Sequence, residues 1–588
     1  MYATSGLPSG AEDIERGWKC RRCCSSSAVL NVTEPSSTGI GGDMFCLYYS
    51  AETKSVRALN GSGRSASDSS LERTRRELGI PEGEPGTIPV TNIHAVTVPG
   101  AAAGWIDTVE MFGNGKLSLK QILAPAIELA EAGFPVSELA SSFWHEGEPL
   151  MREASPNFHE LLKRDLKSGH ESFRAPLPGE LFKNVYFAKT LKRLAELGKK
   201  GFYEGPVAEA IIKVVQDRGG HLSLGDLKRH GELGSEEVDP ISLKFNGQDI
   251  GRVQNQFVDG EAGDGGIEIW ECPPNGQGIV ALMALGILQE LERAGKVRKF
   301  QEGDHNCTEY VAFPSYDRNG GTKFRRYLHA IIESLRMAFA DASWFVTDPD
   351  VEDVPIKSML SPSYLATRAE LFNPTKASTF LHGSPAHQHC DTVYFAVTDR
   401  WGNGASFINS VYSGFGSAII PKDTGFTLQN RGAGFSLLPG HPNALKPNKR
   451  PYHTIIPAML TNSVDNSLHT VYGVMGGFMQ PQGHVQVLLN MLVFKLNPQA
   501  ALDAPRICIG AGMPGRGKVL GSMICVEEGI SDGVVKALKE LGHEVQVLTG
   551  WERGTFGRGQ VIRVHHEDGQ VVYSAGSDPR GDGMAVPA

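Results

Sequence analysis

The chain has 588 residues, of which 21% are charged, and a formal net charge of −9 at neutral pH. This length allows a large core, while the acidic balance and the lack of a basic stripe argue against a nucleic-acid partner. No run approaches the roughly 18 apolar residues of a membrane span, and nine mostly scattered cysteines favour a reducing compartment over a disulfide framework.

The first segment, residues 1–27, shows neither helical nor strand periodicity, and core-like sequence begins abruptly at Ala28. Within it, Met1–Trp18 is polar and acidic, unlike a secretory signal, so we expect a cytoplasmic protein. Cys20, Cys23 and Cys24 cluster here, yet no second pair at zinc spacing follows. The sequence therefore predicts neither a metal site nor a cofactor.

Helical periodicity dominates the first part of the chain. Thr33–Asp43 reads as a glycine-bearing loop into a strand over Met44–Tyr49. Apolar spacing predicts a helix within Leu117–Phe134, bent or restarted at Pro125. The glycine- and aspartate-rich Asp259–Gly266 is expected to be a surface loop. Further helices are predicted at Leu191–Leu197, Val207–Val215, Ile279–Ala294 and Lys323–Ala342.

Strand signals dominate the last part of the chain. Asp465-Asn466 and Asp568-Gly569 supply hairpin turns, and helices are expected around Val485–Leu496 and Asp532–Leu541. A helix-rich first part before a strand-rich second part predicts one layered α/β sandwich whose sheets draw on both halves. The predicted strands are Thr392–Thr398, Ala405–Val411, Ile455–Leu460, Thr470–Val474, Val561–Val564 and Val571–Ser574.

Thr392 begins its strand abruptly after a polar loop. A threonine hydroxyl is a poor nucleophile, but an N-terminal threonine carries an amine on its own Cα as an adjacent general base. That amine titrates at about pH 8, close to the working pH that general-base catalysis favours. The pattern suggests self-cleavage between Asp391 and Thr392, whereas an ordinary strand threonine is the alternative.

Two further features could complete an acyl-transfer site. Gly476 and Gly477 end a predicted strand, and their backbone N–H groups could face one developing oxyanion. An ordinary glycine turn is the alternative. Arg64 is flanked by small residues, so its guanidinium is accessible and can bind a carboxylate through two parallel hydrogen bonds. A surface or salt-bridged arginine is the alternative there.

These segments, in this order, resemble the γ-glutamyltransferase (γ-glutamyltranspeptidase) family of N-terminal-nucleophile hydrolases from about Ala28 to Val586. The family implies a four-layer αββα sandwich, an inactive precursor and intramolecular cleavage into a large and a small subunit. Here these would be 28–391 and 392–588, intertwined in one catalytic domain. The motifs that carry the resemblance are Glu34–Gly42, Val98–Gly100, Gly201–Gly205, Asp391–Tyr394, Gly402–Asn403, Phe415–Ser417, Asn448–Pro451, Gly476–Gly477, Asp503–Arg506 and Ser577–Arg580.

The resemblance also implies roles for individual residues. Thr392 would be both the cleavage residue and the nucleophile, and Arg64 would bind the α-carboxylate of the donor. Gly476 and Gly477 match the oxyanion-hole glycines, and Ser410 stands where the family often has a threonine that supports the nucleophile. The chemistry would be a γ-glutamyl-enzyme ester, resolved by water or by an amino-acid or peptide acceptor.

Four positions depart from the transpeptidase pattern and concern substrate choice. Tyr412 and Gly434 stand where those enzymes hold the donor's α-amino group with Asn and Asp, and His453 and Thr454 replace paired serines. Losing the aspartate removes a charge-assisted partner for an ammonium. A short Ser436–Lys446 segment predicts a more open site. The pattern is similar to the glutathione-hydrolase-like or acylase-like branch.

Three functional hypotheses follow. The leading one is a self-processing γ-glutamyl hydrolase or transferase that acts on glutathione or γ-glutamyl amides through a Thr392 acyl-enzyme. Tyr412 and Gly434 motivate the second, an amidase or acylase of the same fold for other acyl groups. Residues 1–27 match neither the strand nor the Gly/Ala-rich helix with which the family begins, and a disordered or misjoined start motivates the third, an unprocessed non-enzymatic remnant. The expected partners are small-molecule donors and acceptors and the two fragments of one precursor, with neither nucleic acid nor a membrane.

Overall fold

The computed structural model describes residues 21–82, 84–165, 172–245, 266–297, 320–378, 390–510 and 523–587. The helices are α1 (Arg21–Thr33), α2 (Leu71–Glu77), α3 (Ala101–Phe112), α4 (Leu119–Ala132), α5 (Glu138–Ala154), α6 (Val185–Leu197), α7 (Lys200–Tyr203), α8 (Pro206–Gln216), α9 (Leu224–Leu233), α10 (Gly278–Arg293), α11 (Gly320–Phe345), α12 (Ile356–Met359), α13 (Pro362–Glu370), α14 (Met479–Leu492), α15 (Pro498–Asp503) and α16 (Asp532–Glu540). The strands are β1 (Asp43–Ser50), β2 (Ser55–Gly61), β3 (Phe134–Pro135), β4 (Lys163–Asp165), β5 (Ser172–Arg174), β6 (Leu181–Phe182), β7 (Glu236–Val238), β8 (Ile241–Phe245), β9 (Ile267–Glu271), β10 (Cys390–Thr398), β11 (Gly404–Ser413), β12 (Ala458–Asn462), β13 (Leu468–Met475), β14 (Ile507–Ile509), β15 (Ile524–Glu527), β16 (Val545–Leu548), β17 (Arg558–Glu567) and β18 (Gln570–Ser577).

Two antiparallel sheets form the centre of the fold. The first has the strand order β10-β11-β1-β2-β7, and the second has the order β18-β17-β13-β12-β9-β8. A buried apolar cluster joins them, with Phe45 and Leu47 from β1, Ile408 from β11, Met459 from β12 and Val471 from β13. Because these residues come from both sheets, the sheets pack face to face.

Helices cover the outer face of each sheet. Met44 and Cys46 alternate with the inward residues of β1 and pack in a second cluster with Trp105 of α3 and Trp144 of α5. The outer face of the other sheet packs against α10, α11 and α14, in a cluster that includes Tyr472. This order of layers confirms the predicted four-layer αββα sandwich.

Both sheets contain strands from before and after Thr392. In the first sheet β11 pairs with β1, and in the second β12 pairs with β9. The prediction that the sheets draw on both halves is confirmed. A break before Thr392 would therefore leave the two segments joined by sheet hydrogen bonds and a shared core.

Most predicted elements lie where the periodicity placed them. The helix around Pro125 is α4, which begins with a capping box between Ser118 and Gln121. Asp568 and Gly569 both have positive φ and form the two-residue turn between β17 and β18. The strand predicted from Ile455 starts instead at Ala458, directly after a proline that cannot donate to the ladder. Residues 259–265 of the predicted glycine-rich loop lie outside the described residues.

The start of the fold differs from the expectation for residues 1–27. Residues 21–27 form the first turns of α1, which packs against α4. Cys23, Cys24 and Ala28 are buried on this helix, and burial raises the pKa of the Cys24 thiol. Small residues pack closely between helices but give a weak hydrophobic pattern, so the periodicity was hidden. Cys20 lies outside the described residues, and none of the described helices is long and apolar enough to cross a membrane.

Candidate active site

Thr392 lies at an irregularity between two paired strands. Asp391 is paired with Tyr412, whereas Val393 is paired with Asn409, so the register between β10 and β11 shifts at Thr392. Bulges of this kind bend a strand and aim one side chain away from the regular pleat, and they recur beside active sites. The predicted cleavage bond between Asp391 and Thr392 therefore lies at the bulge.

The hydroxyl of Thr392 is buried and has a specific partner. Thr392 is 1% exposed, and its Oγ1 donates a hydrogen bond to Ser410 Oγ at 3.1 Å. Ser410 Oγ also accepts the backbone N–H of Tyr412 at 2.9 Å. Tyr412 has a φ of 83°, which is costly for a residue with a side chain. Ser410 thus orients the candidate nucleophile and holds the strained backbone that opposes the cleavage bond.

Gly476 and Gly477 form the turn between β13 and α14. Their φ angles are 125° and 56°, which favour glycine, and Met479 N–H closes the turn on Gly476 O at 3.0 Å. The positive end of the α14 dipole lies next to this turn and stabilises a negative charge there. This geometry suits the predicted stabilisation of an oxyanion. Met475, the residue just before this turn, lines the same cavity as Thr392.

Arg431 is a site residue that the sequence reasoning missed. Its guanidinium carbon lies 4.2 Å from the centre of the Tyr412 ring, and its Nη1 donates to Thr454 Oγ1 at 2.6 Å. Arg431 is fully buried, whereas Tyr412 is 7% exposed. Tyr412 and Thr454, two of the four positions that depart from the transpeptidase pattern, therefore contact a buried cation.

A second missed residue, Gln277, connects this cation to the glycine turn. Its Nε2 donates to Thr454 O at 2.7 Å and to Gly477 O at 2.9 Å, and its Oε1 accepts from Tyr452 at 3.1 Å. Contacts therefore run without a break from the nucleophile through Ser410, Tyr412, Arg431, Thr454 and Gln277 to the glycine turn. The predicted residues lie together, although their functional roles stay predictions.

Asp43 is a third missed residue, and it fixes several loops of the site. One carboxylate oxygen accepts from Gly63 N–H at 2.9 Å, Gly100 N–H at 3.0 Å and Gln429 Nε2 at 2.9 Å. The other lies 3.0 Å from His453 Nε2. Burial opposes ionisation, but the hydrogen bond from His453 and the nearby positive charge of Arg431 lower the pKa of Asp43.

His453, a predicted substrate-binding residue, is held inside the protein through both ring nitrogens, and its functional role stays a prediction. It is fully buried, and Ile455 N–H donates to its Nδ1 at 3.3 Å, so Nε2 carries the proton that faces Asp43. Burial and the neighbouring Arg431 lower the pKa of His453 to about 4. The imidazole is therefore neutral at physiological pH, and both of its ring nitrogens are used inside the protein.

Arg64 lies in a cluster of charged side chains. Its Nη2 is 3.3 Å from Asp350 Oδ2, and Asp350 also pairs with Arg450 at 3.0 Å. Burial and the nearby Arg450 lower the pKa of Arg64. These contacts agree with the alternative prediction of a salt-bridged arginine. The Arg64 side chain is nevertheless 17% exposed, and the neighbouring Gly63 N–H donates a hydrogen bond to Asp43. The role of Arg64 in binding a carboxylate stays a prediction.

The backbone around Gly434 leaves no room for a larger residue such as aspartate. A Cβ added there would lie 2.7 Å from Tyr452 O, so a larger residue would have to displace backbone. The following Ser436–Lys446 segment folds tightly. Ser436 bridges to Thr87 and Ala444, and Leu437 and Leu445 are buried in a small cluster with Ile88.

A cavity of about 1060 Å³ lies along β10 beside Thr392. Glu34, Arg558 and Asp578 are among the polar residues that line it. Its volume suits a small organic substrate. Thr392 and Met475 line this cavity, whereas Gly476, Gly477 and Arg431 are not among its lining residues. The buried hydroxyl, the glycine turn and the buried cation can together support nucleophilic attack on an amide carbonyl.

The sequence profile described as Gamma-glutamyltranspeptidase matches residues 24–588. The chain is 33% identical to the Glutathione hydrolase-like YwrD proenzyme of Bacillus subtilis, over 95% of this chain and 92% of that protein. It is 30% identical to the Oxamate amidohydrolase proenzyme of Klebsiella pneumoniae, over 97% and 94%. Among solved structures, the cephalosporin acylase from Bacillus halodurans is 34% identical, with a TM-score of 0.76 and coverage of 97% of this chain and 91% of that one.

Proposed function

Since the chain belongs to the gamma-glutamyltranspeptidase family, we propose that it cleaves itself before Thr392 and then hydrolyses amides of dicarboxylic acids. The observation that carries this proposal is the buried hydrogen bond from Thr392 Oγ1 to Ser410 Oγ at the bulge. In the first step Thr392 Oγ1 attacks the carbonyl carbon of Asp391, the peptide C–N bond breaks, and water hydrolyses the resulting ester. The step frees the α-amine of Thr392, which becomes the general base.

In the proposed catalytic cycle, Thr392 Oγ1 attacks the substrate carbonyl and passes its proton to its own amine. The oxyanion is held by N–H groups of the Gly476-Gly477 turn, where each donor is worth about 2.7–4 kcal/mol in other acyl-transfer sites. The amine component leaves with that proton. Water then releases the acid, and an amino-acid or peptide acceptor could replace water in this step.

The first candidate substrates are γ-glutamyl amides, including glutathione. The similarity to a glutathione hydrolase-like protein supports this candidate, and so does the partly exposed Arg64, which the family resemblance assigns to the substrate carboxylate. In this candidate the amine of the γ-glutamyl group lies near Tyr412, where the side chain offers no negative charge.

The second candidate substrates are amides whose acyl group has a carboxylate but no amine. The observation that favours them is the buried guanidinium of Arg431 behind the Tyr412 ring. A cation there attracts a carboxylate and repels an ammonium through a medium of low dielectric. Oxamate and glutaryl amides belong to this class, and one relative is an oxamate amidohydrolase.

Self-cleavage is tested by intact mass and N-terminal sequencing of purified protein. Wild-type protein should give a fragment that begins at Thr392, and Thr392→Ala should remain whole. Thr398→Ala, in the same strand, is the matched control and should be processed. A wild-type chain that stays intact while it hydrolyses an amide would overturn the mechanism.

Substrate choice is tested by comparing γ-glutamyl and glutaryl anilides, which differ only in the α-amine. Arg431→Gln should shift the ratio of kcat/KM values towards the γ-glutamyl substrate by about tenfold, equivalent to about 1.4 kcal/mol. A strong γ-glutamyl preference in the wild type that Arg431→Gln leaves unchanged would exclude the second candidate. Equal absence of activity on both anilides, with normal cleavage, would exclude γ-glutamyl and glutaryl amides as substrates.

A further inference from the structure

Three side chains that can bind a metal ion converge near the protein surface. His94 Nε2 and His221 Nε2 each lie 3.0 Å from the same oxygen, Glu77 Oε2. The three ligand atoms all lie within 4.8 Å of one another. The His94 and His221 side chains are 9% and 5% exposed, whereas Glu77 is 33% exposed. Two largely buried imidazoles thus face one carboxylate that is open to solvent on one side.

Different parts of the chain hold these ligands in place. Glu77 ends α2, and His94 lies in a 3-10 turn whose first N–H groups are capped by Asn92. His221 follows Gly220, where a Cβ would lie 2.7 Å from Ile93, so the two loops can approach only through a glycine. Ligands this far apart in sequence give no spacing motif, which is why the sequence did not predict a metal.

The ligand set fits a divalent transition metal. Zinc binds imidazole nitrogen and carboxylate oxygen at about 2.0–2.2 Å, and ligands at tetrahedral angles are then about 3.4 Å apart. The observed separations of 3.0 Å need only a small opening of the three side chains. Three protein ligands with one open position also match the two-histidine, one-glutamate arrangement known for zinc.

The carboxylate also has the outer partner that metal ligands usually have. Arg73 Nε donates to the other oxygen, Glu77 Oε1, at 2.9 Å, and Arg73 Nη1 pairs with Asp68 at 2.8 Å. Such hydrogen bonds fix the orientation of a ligating carboxylate. Arg73 therefore leaves Oε2 directed at the two histidines.

A second described cluster, His329, Glu333 and His543, shows the contrast. There His329 Nδ1 and His543 Nε2 hydrogen-bond each other at 2.8 Å. The Glu333 oxygens accept from Arg336 at 3.0 Å and from Ser378 N–H at 3.0 Å. The two histidines of this second cluster therefore bond to each other, and Glu333 bonds to other groups. In the surface cluster, by contrast, both histidines face a single oxygen of Glu77.

The surface cluster is connected through backbone to the turn that carries Arg431. A Cβ at Gly432 would lie 2.8 Å from Ala95 O and 3.1 Å from His94 O, so the turn that carries His94 packs directly on the turn that carries Arg431. We propose that Glu77, His94 and His221 bind one Zn²⁺ or a similar divalent metal ion, which braces this pair of turns. This site is independent of the amide hydrolysis proposed above.

The test uses full-length protein without a purification tag, dialysed against a chelator and then titrated with Zn²⁺ alone by calorimetry. Wild-type protein should bind about one ion per chain and gain thermal stability. His94→Asn and Glu77→Gln should each lose that ion and the gain, and circular dichroism checks that both remain folded. His145→Asn, which removes an exposed histidine of α5, is the matched control and should behave as wild type.

Two results would overturn the proposal. One is an absence of stoichiometric binding by the wild-type protein. The other is binding that persists unchanged in both His94→Asn and Glu77→Gln, because the ion would then be held elsewhere. Glu77 is exposed and at a helix end, so Glu77→Gln keeps the test available even if the His94 variant does not fold.

Discussion

The hydroxyl of Ser410 provides the sharpest test of how the nucleophile is held. Ser410→Ala removes the one atom that accepts both the Thr392 hydroxyl at 3.1 Å and the Tyr412 N–H at 2.9 Å. A buried donor left without its acceptor costs about 1–3 kcal/mol. The variant should therefore lose stability and also lose the orientation of Thr392, while the chain keeps its charge and nearly all of its volume.

The effect on self-cleavage can be estimated from the Thr392 contact alone. If the lost hydrogen bond raises the barrier by about 1.4–2.8 kcal/mol, cleavage slows by about 10- to 100-fold. The assay follows conversion of full-length protein into two fragments on a denaturing gel, starting from freshly made precursor. Ser410→Thr keeps a hydroxyl at the same position and should recover most of the rate.

A control variant is needed to separate the loss of the Thr392 contact from the general cost of losing any buried hydrogen bond. Ser406 lies on the same strand, is fully buried, and its Oγ is 2.9 Å from Tyr394 Oη and does not contact Thr392. Ser406→Ala should cost similar stability but leave the cleavage rate near that of the wild type. The reasoning is refuted if Ser410→Ala cleaves as fast as the wild type, or if Ser406→Ala slows cleavage as much.

Three further predictions concern stability. Gly434→Asp, which restores the acidic residue of the transpeptidases, should lower the free energy of unfolding by about 1–3 kcal/mol, because its Cβ would lie 2.7 Å from Tyr452 O. An unchanged midpoint of urea denaturation would contradict this prediction. Asp578→Asn should cost about 3–5 kcal/mol because Asp578 and Arg506 form a fully buried ion pair at 2.5 Å, and thermal unfolding measures it; a loss below 1 kcal/mol would show that the pair is dispensable. His453 has a folded pKa of about 4 against about 6.5 unfolded, so the unfolded state binds more protons between these values and stability should fall as pH drops from 6.5 to 4. Urea denaturation across that range checks it, and His453→Gln should flatten the slope.

The fold was predictable where one local pattern decides the structure. The helix around Pro125 and the hairpin at Asp568-Gly569 follow from apolar spacing and from residues that accept positive φ. Helix α1 was missed because serines and cysteines pack well between helices without producing an apolar stripe. The start of β12 depended on a proline that the predicted range included.

The site was predictable only where the family motifs name its residues. Thr392 and Ser410 were predicted and lie in contact. Asp43, Gln277 and Arg431 were missed, because each acts by joining segments that are hundreds of residues apart or by packing on a ring. Arg431 lies only three residues before Gly434, the position where the transpeptidases have an aspartate. A cation this close to a missing carboxylate was the one feature of the sequence that could have indicated Arg431. Its burial and its stacking on Tyr412 require the fold.

The contacts also separate self-cleavage from substrate choice. Ser410 touches Thr392 directly, so its variants should impair both processes together, since both need the same hydroxyl. Arg431 reaches the nucleophile through the Tyr412 ring and the Tyr412 backbone, so Arg431→Gln should be processed normally and change the preference among acyl groups. Unprocessed Arg431→Gln protein would mean that the cation is required to hold Tyr412 in its strained backbone, and the acyl pocket would then be part of the cleavage machinery.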